Sequence, residues 1–206
     1  MNATFSSPAS RWPSDAKRGL TPFLLLLLLA GPVGCSTVKV GEPLTRTMGG
    51  NDAEARMEFW HTLNGRTVTS NDEAFHALLL FLDDEDPAES YPQRVEALAA
   101  RGMLPTGFDG TAEEGVTRGT VAVVVVRALE LRGGVLLNLM PRSPRYATRE
   151  LQYHGLYQAS SPHQTLSGAN FVAIIGRVED YQRASVAVHK ARNGDPAGRG
   201  SSGTSS

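Results

Sequence analysis

The sequence predicts an all-α fold of three consecutive helix-loop-helix units packed as a compact bundle between disordered termini. Three observations predict it. Six apolar-striped segments fall into pairs, the first of each pair stopping at glycine (Gly65, Gly102, Gly155) and the second starting at a hydroxyl cap (Ser70, Thr117, Ser167). The caps are 47 and 50 residues apart, a period near 50. No single helical pair of this kind buries its own apolar face, so the units must pack on one another.

Residues 1–34 read as a lipoprotein signal. Arg11, Lys17 and Arg18 precede Phe23 and six consecutive leucines, and small residues lead to Cys35, the chain's one cysteine. This is the positive, apolar and small-residue order of a secretory leader, and its apolar run falls short of the ~20 residues of a membrane-spanning helix. Val33-Gly34-Cys35 resembles the end of a lipobox, although Pro32 departs from the usual aliphatic residue. Cys35 is the expected lipid attachment site and the link to the membrane. Ser36 after it favours, by resemblance to sorted lipoproteins, the bacterial outer membrane, facing the periplasm or cell surface. Removing residues 1–34 leaves 17 basic against 20 acidic side chains, a net charge of −3. That balance carries no basic face for nucleic acid. With Cys35 acylated, no thiol remains for a disulfide, zinc or nucleophilic role.

Residues 35–51 read as a lipidated flexible tether, because they hold glycine and proline without a sustained period. The domain is expected over 52–182. Its first helix starts at Asn51 or Asp52 and puts Phe59, Trp60 and Leu63 on one face, and Gly65 stops it by adopting the left-handed conformation. The second opens with Ser70 and Glu73 as a capping box and buries Ala74, Phe75, Ala77, Leu78 and Phe81. Asp83, Asp84, Glu85 and Asp86 follow. They lack the alternation and central glycine of a calcium loop and read as a solvated acidic loop.

The third helix, Tyr91 to Arg101, carries Pro92 in its first turn. VAVVVVRALEL can be strand or buried helix; its length and the alanine and leucines after it favour a helix capped by Thr117. Residues 135–140 are open between turn, helix and strand. A fifth helix, Tyr146 to His154, and a sixth from Ser167 to about Tyr181 follow. Residues 183–206 read as a disordered tail.

At ALAARGML (97–104) and VTRGTVAVVVVRAL (116–129) the chain resembles the S-layer homology family, in which a helix ends in Arg-Gly and a Thr-Arg motif opens the next, apolar helix. The resemblance spans about Asp52 to Gln182. It implies three helical repeats and attachment to cell-wall polysaccharide through a Thr/Ser-Arg-Ala/Gly-Glu motif. Thr117, Arg118 and Gly119 match that motif, and Thr120 stands where it has an acid. Ser70 and Glu73 keep only its ends, and Ser167-Gly168-Ala169-Asn170 lacks both charges.

The five histidines, His61, His76, His154, His163 and His189, show no ligand spacing and read as surface or loop residues. No phosphate loop or nucleophile elbow is present in the sequence, so neither a metal, a cofactor nor an enzymatic activity is expected. Trp60 either stacks on a sugar or fills the core. Arg118, whose charge opposes the dipole of the helix it opens, either pairs with an anionic polymer or is a solvated or salt-bridged surface residue. The expected function is that of a non-catalytic, outer-membrane-anchored envelope lipoprotein. It binds a cell-wall or envelope glycan or a surface protein, with Arg118, Thr117 and Trp60 as glycan contacts. The alternative is a structural scaffold that recruits a protein partner without glycan.

Overall fold

The computed structural model describes residues 37–131, 139–140 and 142–193. The leader, Cys35, 132–138 and 194–206 lie outside the described residues, and with them the lipidation site and most of the open 135–140 segment. The described residues belong to one unit, Thr37–Ser206, and its buried apolar core runs from Leu44 to Val178. That unit therefore carries its whole core within itself.

The described residues are mostly helical, as expected. The helices are α1 (Thr45–Met48), α2 (Ala53–Asn64), α3 (Asn71–Asp83), α4 (Tyr91–Ala100), α5 (Arg118–Ala128), α6 (Pro144–Tyr153) and α7 (Gly168–Asn193). The Val-rich run is helical because its branched side chains are buried around the whole circumference. Arg118 through Val126 of α5 are all buried, as are Asn71 through Leu80 of α3. A helix apolar on every side belongs at the centre of a bundle, and tertiary burial there outweighs the strand preference of valine.

The three hydroxyl caps form where the sequence places them. Ser70 Oγ accepts from Glu73 N at 3.1 Å while Glu73 Oε2 accepts from Ser70 N at 2.8 Å. Thr117 Oγ1 accepts from Thr120 N at 3.2 Å, and Ser167 Oγ from Asn170 N at 3.3 Å. Asp52 caps α2 by accepting from Ala55 N.

The residues just before these caps meet in a closed ring. Val116 N donates to Thr69 O (2.8 Å), Leu166 N to Val116 O (3.1 Å), and Thr69 N to Leu166 O (2.8 Å). Two residues further on, the first N–H of each helix donates outward to the preceding loop of a neighbour: Asn71 N to Glu114 O (2.7 Å), Arg118 N to Gln164 O (2.8 Å), and Gly168 N to Arg66 O (2.9 Å). The first N–H groups of a helix have no partner within it. Here three helix starts satisfy one another's neighbourhoods cyclically, and Thr69, Val116 and Leu166 are fully buried at the hub.

Helices pack accordingly: α3 against α4, α5 against α6, and α7 against α2. The last helix thus closes the ring on the first. Its start is pressed so tightly that a Cβ on Gly168 would lie 1.6 Å from Leu63 O.

Four expectations need correction. Residues 37–51 are not a free tether: Val40 N donates to Glu113 O (2.7 Å), Gly115 N to Val38 O (2.8 Å), and Leu44 is buried with its N–H on Glu73 Oε1 (3.0 Å). Backbone pairing with a distant loop fixes them, which local composition does not reveal. Residues 183–193 are helical, not a disordered tail, since α7 runs on through the strong helix formers Ala184, Ala187, Lys190 and Ala191. Gly65 has φ −79°, so it is not the left-handed cap expected; Gly102 (φ 65°) and Gly155 (φ 72°) are left-handed. The helix expected from Tyr146 opens at Pro144 instead, a proline being well placed in a first turn.

Gly168→Ala is expected to cost at least about 3 kcal/mol of stability, because the new methyl meets backbone and nothing flexible can yield. A urea melt of the Thr37–Ser206 chain checks it.

Candidate functional site

The acidic run after α3 is not wholly solvated. Asp86 folds back and is buried, with Oδ2 2.6 Å from His76 Nδ1 and accepting from Arg94 Nε at 2.5 Å. Arg94 also donates from Nη1 to Asp72 Oδ1 (2.7 Å) and from Nη2 to Ala88 O (3.0 Å). Thr45 Oγ1 donates to the second Asp72 oxygen. Asn51 closes the network by exchanging hydrogen bonds with the Asp86 backbone (2.7 and 2.9 Å).

His76, expected at the surface, is fully buried, its ring edge-on to Phe59 at 4.6 Å. Its Nε2 has no partner among the described residues. This cluster latches α1, α3 and α4 together. Asp72, Asp86 and Arg94 are paired with one another within it.

Arg118 is also not the solvated residue one reading allowed. It is 7% exposed. Its guanidinium carbon lies 5.8 Å from the centre of the Tyr157 ring, and Tyr157 donates its O–H back to Arg118 O at 3.1 Å. Burial pushes the Tyr157 phenol well above its ordinary pKa, and the opposing pull of Arg118 and Arg177 is smaller, so it stays a neutral donor. Arg118 Nε is buried and has no acceptor, and no carboxylate pairs with the guanidinium among the described residues. Gly119, beside it, lies so close to Pro144 and Pro162 that a Cβ would be 2.6 Å from Pro144 Cβ. The Tyr157 ring thus lies against Arg118, while the two prolines press on the neighbouring Gly119.

The three helix starts at the hub are electrostatically unequal. The α3 start holds Asp72 and Glu73, and Glu73 is fully buried, with Arg66 3.1 Å from its Oε1. The starts of α5 and α7 hold no acid in the first turn. A helix start carries a partial positive charge of about half a unit. At α5 this adds to Arg118, and no side chain of the first turn offsets it.

Thr117 spends its hydroxyl on the α5 cap, 2.9 Å from Thr120 Oγ1. Trp60 sits elsewhere. It is half-buried, stacked on Phe171 (6.5 Å between ring centres, 21°), and lines a cleft of about 660 Å³ with Arg56, Phe81, Asp84, Val172 and Glu179. Arg118 and Thr117 do not line that cleft. The three residues expected as one glycan site therefore occupy two places. No motif marks Tyr157, 39 residues from Arg118. Cys35 lies outside the described residues.

No protein-family model, curated protein or solved structure matches the chain.

Arg94→Met would leave Asp72 and Asp86 buried without their cation and is expected to cost about 3–5 kcal/mol, read from urea unfolding. Burial raises the Asp86 pKa, but the His76 and Arg94 hydrogen bonds and the Arg94 charge outweigh it and hold the group below 3.8. A depressed folded-state pKa gives stability that is complete above the unfolded value and is lost as pH falls through the folded one. Asp86→Asn should therefore flatten the loss of Tm on acidification below about pH 4, while lowering Tm at neutral pH.

Proposed function

We propose that this protein is a non-catalytic lipoprotein of the bacterial cell envelope, held at the outer membrane through Cys35, whose helical domain binds an anionic envelope polysaccharide at Arg118. The observation that carries the reading is Arg118, 7% exposed as a residue, with its buried Nε lacking an acceptor and no carboxylate paired to its guanidinium among the described residues. A buried cation without a counter-charge is costly. An anionic group docked there removes the cost and gains charge-assisted hydrogen bonds, which a guanidinium gives bidentately. The acid-free start of α5 adds to the attraction.

The resemblance to S-layer homology repeats is part of the same proposal. It is supported by the cyclic hydrogen bonding of the segments before Ser70, Thr117 and Ser167, which gives the three proposed units equivalent positions. In this reading the first unit has lost binding because its first-turn polar groups are spent internally, Asp72 on Arg94 and Glu73 on Arg66. The third has no charged group there to offer. Binding is concentrated in the second.

A second reading, a scaffold that recruits an envelope protein, is favoured by the cleft at Trp60 with its partly apolar floor of Leu80, Phe81, Val172 and Ile175. It requires no polysaccharide.

The test is co-sedimentation of the Thr37–Ser206 chain with purified sacculi, before and after their attached polysaccharide is stripped. Binding is expected to be lost on stripping and to fall at least about tenfold in Arg118→Gln, which keeps much of the stem over Tyr157 but removes the charge. Retention that survives both treatments, or none with either preparation, overturns polysaccharide binding and leaves the scaffold.

A further inference from the structure

Helix α7 outruns the body of the protein. Its last buried residue is Val178, and residues 183–188 are all exposed, Val186 at 67%. Along it, Val172, Gly176, Glu179, Arg183, Val186 and Lys190 recur at steps of 4, 3, 4, 3 and 4, the spacing that keeps residues on one seam of paired helices. The first three line the Trp60 cleft, and the last three continue the same face onto the projecting arm.

This seam is complementary to its own reversal. Laid antiparallel to a second copy about residue 181, Glu179 faces Arg183, Gly176 faces Val186, and Val172 faces Lys190. We infer that α7 is a homodimerisation helix, pairing antiparallel with α7 of a second copy so that each arm covers the other's cleft. A two-fold axis makes each of these contacts twice.

Four observations converge on a second copy as the occupant. The arm 183–193 contains no acidic residue, whereas the cleft presents Asp84 and Glu179, which pair with no cation among the described residues. Gly176 is an interior helix glycine, unfavourable relative to alanine, yet a Cβ there would have nothing within 4 Å. Packing inside the protomer gives no reason for it, and Val186 of the second copy fits the notch. On the arm, residues 183–188, 190 and 191 are exposed; helices in proteins draw most of their stability from packing of one face, and a partner helix supplies that packing. In the protomer Arg183 donates to Asp180 at 2.6 Å, but both side chains are largely exposed. Such a solvated pair yields readily to a partner.

Sedimentation velocity of the Thr37–Ser206 chain over a concentration series tests the inference. The native sequence is expected to sediment as protomer in equilibrium with dimer. Glu179→Arg and Arg183→Glu each place like charges opposite one another twice and should weaken dimerisation at least about tenfold. The double reversal Glu179→Arg with Arg183→Glu should restore it, and Val186→Asp should abolish it. All these positions are exposed, so circular dichroism should show unchanged folding throughout. A protomer at every concentration overturns the inference. So does a dimer indifferent to the single charge reversals, or a double reversal no better than either single.

Discussion

The structure depends on a ring of backbone hydrogen bonds among three helix starts. Thr69, Val116 and Leu166 each give their N–H to one neighbour and their carbonyl to the other. No side chain chooses these partners. What chooses them is burial of the hub, where an unmade backbone bond would be expensive, while the bonds from Asn71, Arg118 and Gly168 supply the acceptors that each helix start lacks. The ring also fixes which helices meet. Because α7 docks on α2, residues at opposite ends of the domain share one interface. Folding must therefore bring together positions more than a hundred residues apart before the core is closed, a non-local topology for a helical protein.

Bringing three helix starts together concentrates positive partial charge at one place. The chain answers this at one start only, with the buried Glu73 that also receives the Leu44 N–H. At the start of α5 it adds a positive charge instead. The contrast between the Glu73 carboxylate, tied to three groups of the chain, and Arg118, without a counter-ion among the described residues, is what separates the structural helix start from the one proposed to bind.

Legibility in the sequence followed the range of each interaction. Ser70 with Glu73, Thr117, Pro92, and the glycines at 102 and 155 act within one or two turns, so cap and stop chemistry located nearly every helix. Asp86 and His76 were misread because the partner that buries them, Arg94, lies beyond a loop, and an acidic run ordinarily faces water. Of the two readings open for Arg118, the solvated one fails for the same reason, since Tyr157, whose ring it faces, comes from the next unit. Residues 37–44 look like linker because the loop they pair with is 75 residues away. Composition predicts coil beyond Gln182, whereas the alanine content carries α7 onward to Asn193.

The docked segment at the N-terminal side also has a mechanical consequence. A pull on the chain at Thr37 is met first by the two backbone bonds joining Val38 and Val40 to Gly115 and Glu113, then by the burial of Leu44. Peeling residues 37–44 away would pay out roughly 25–30 Å of chain before load reached the hub. Force applied there is relieved by lengthening the leash, and the helices behind it stay shut.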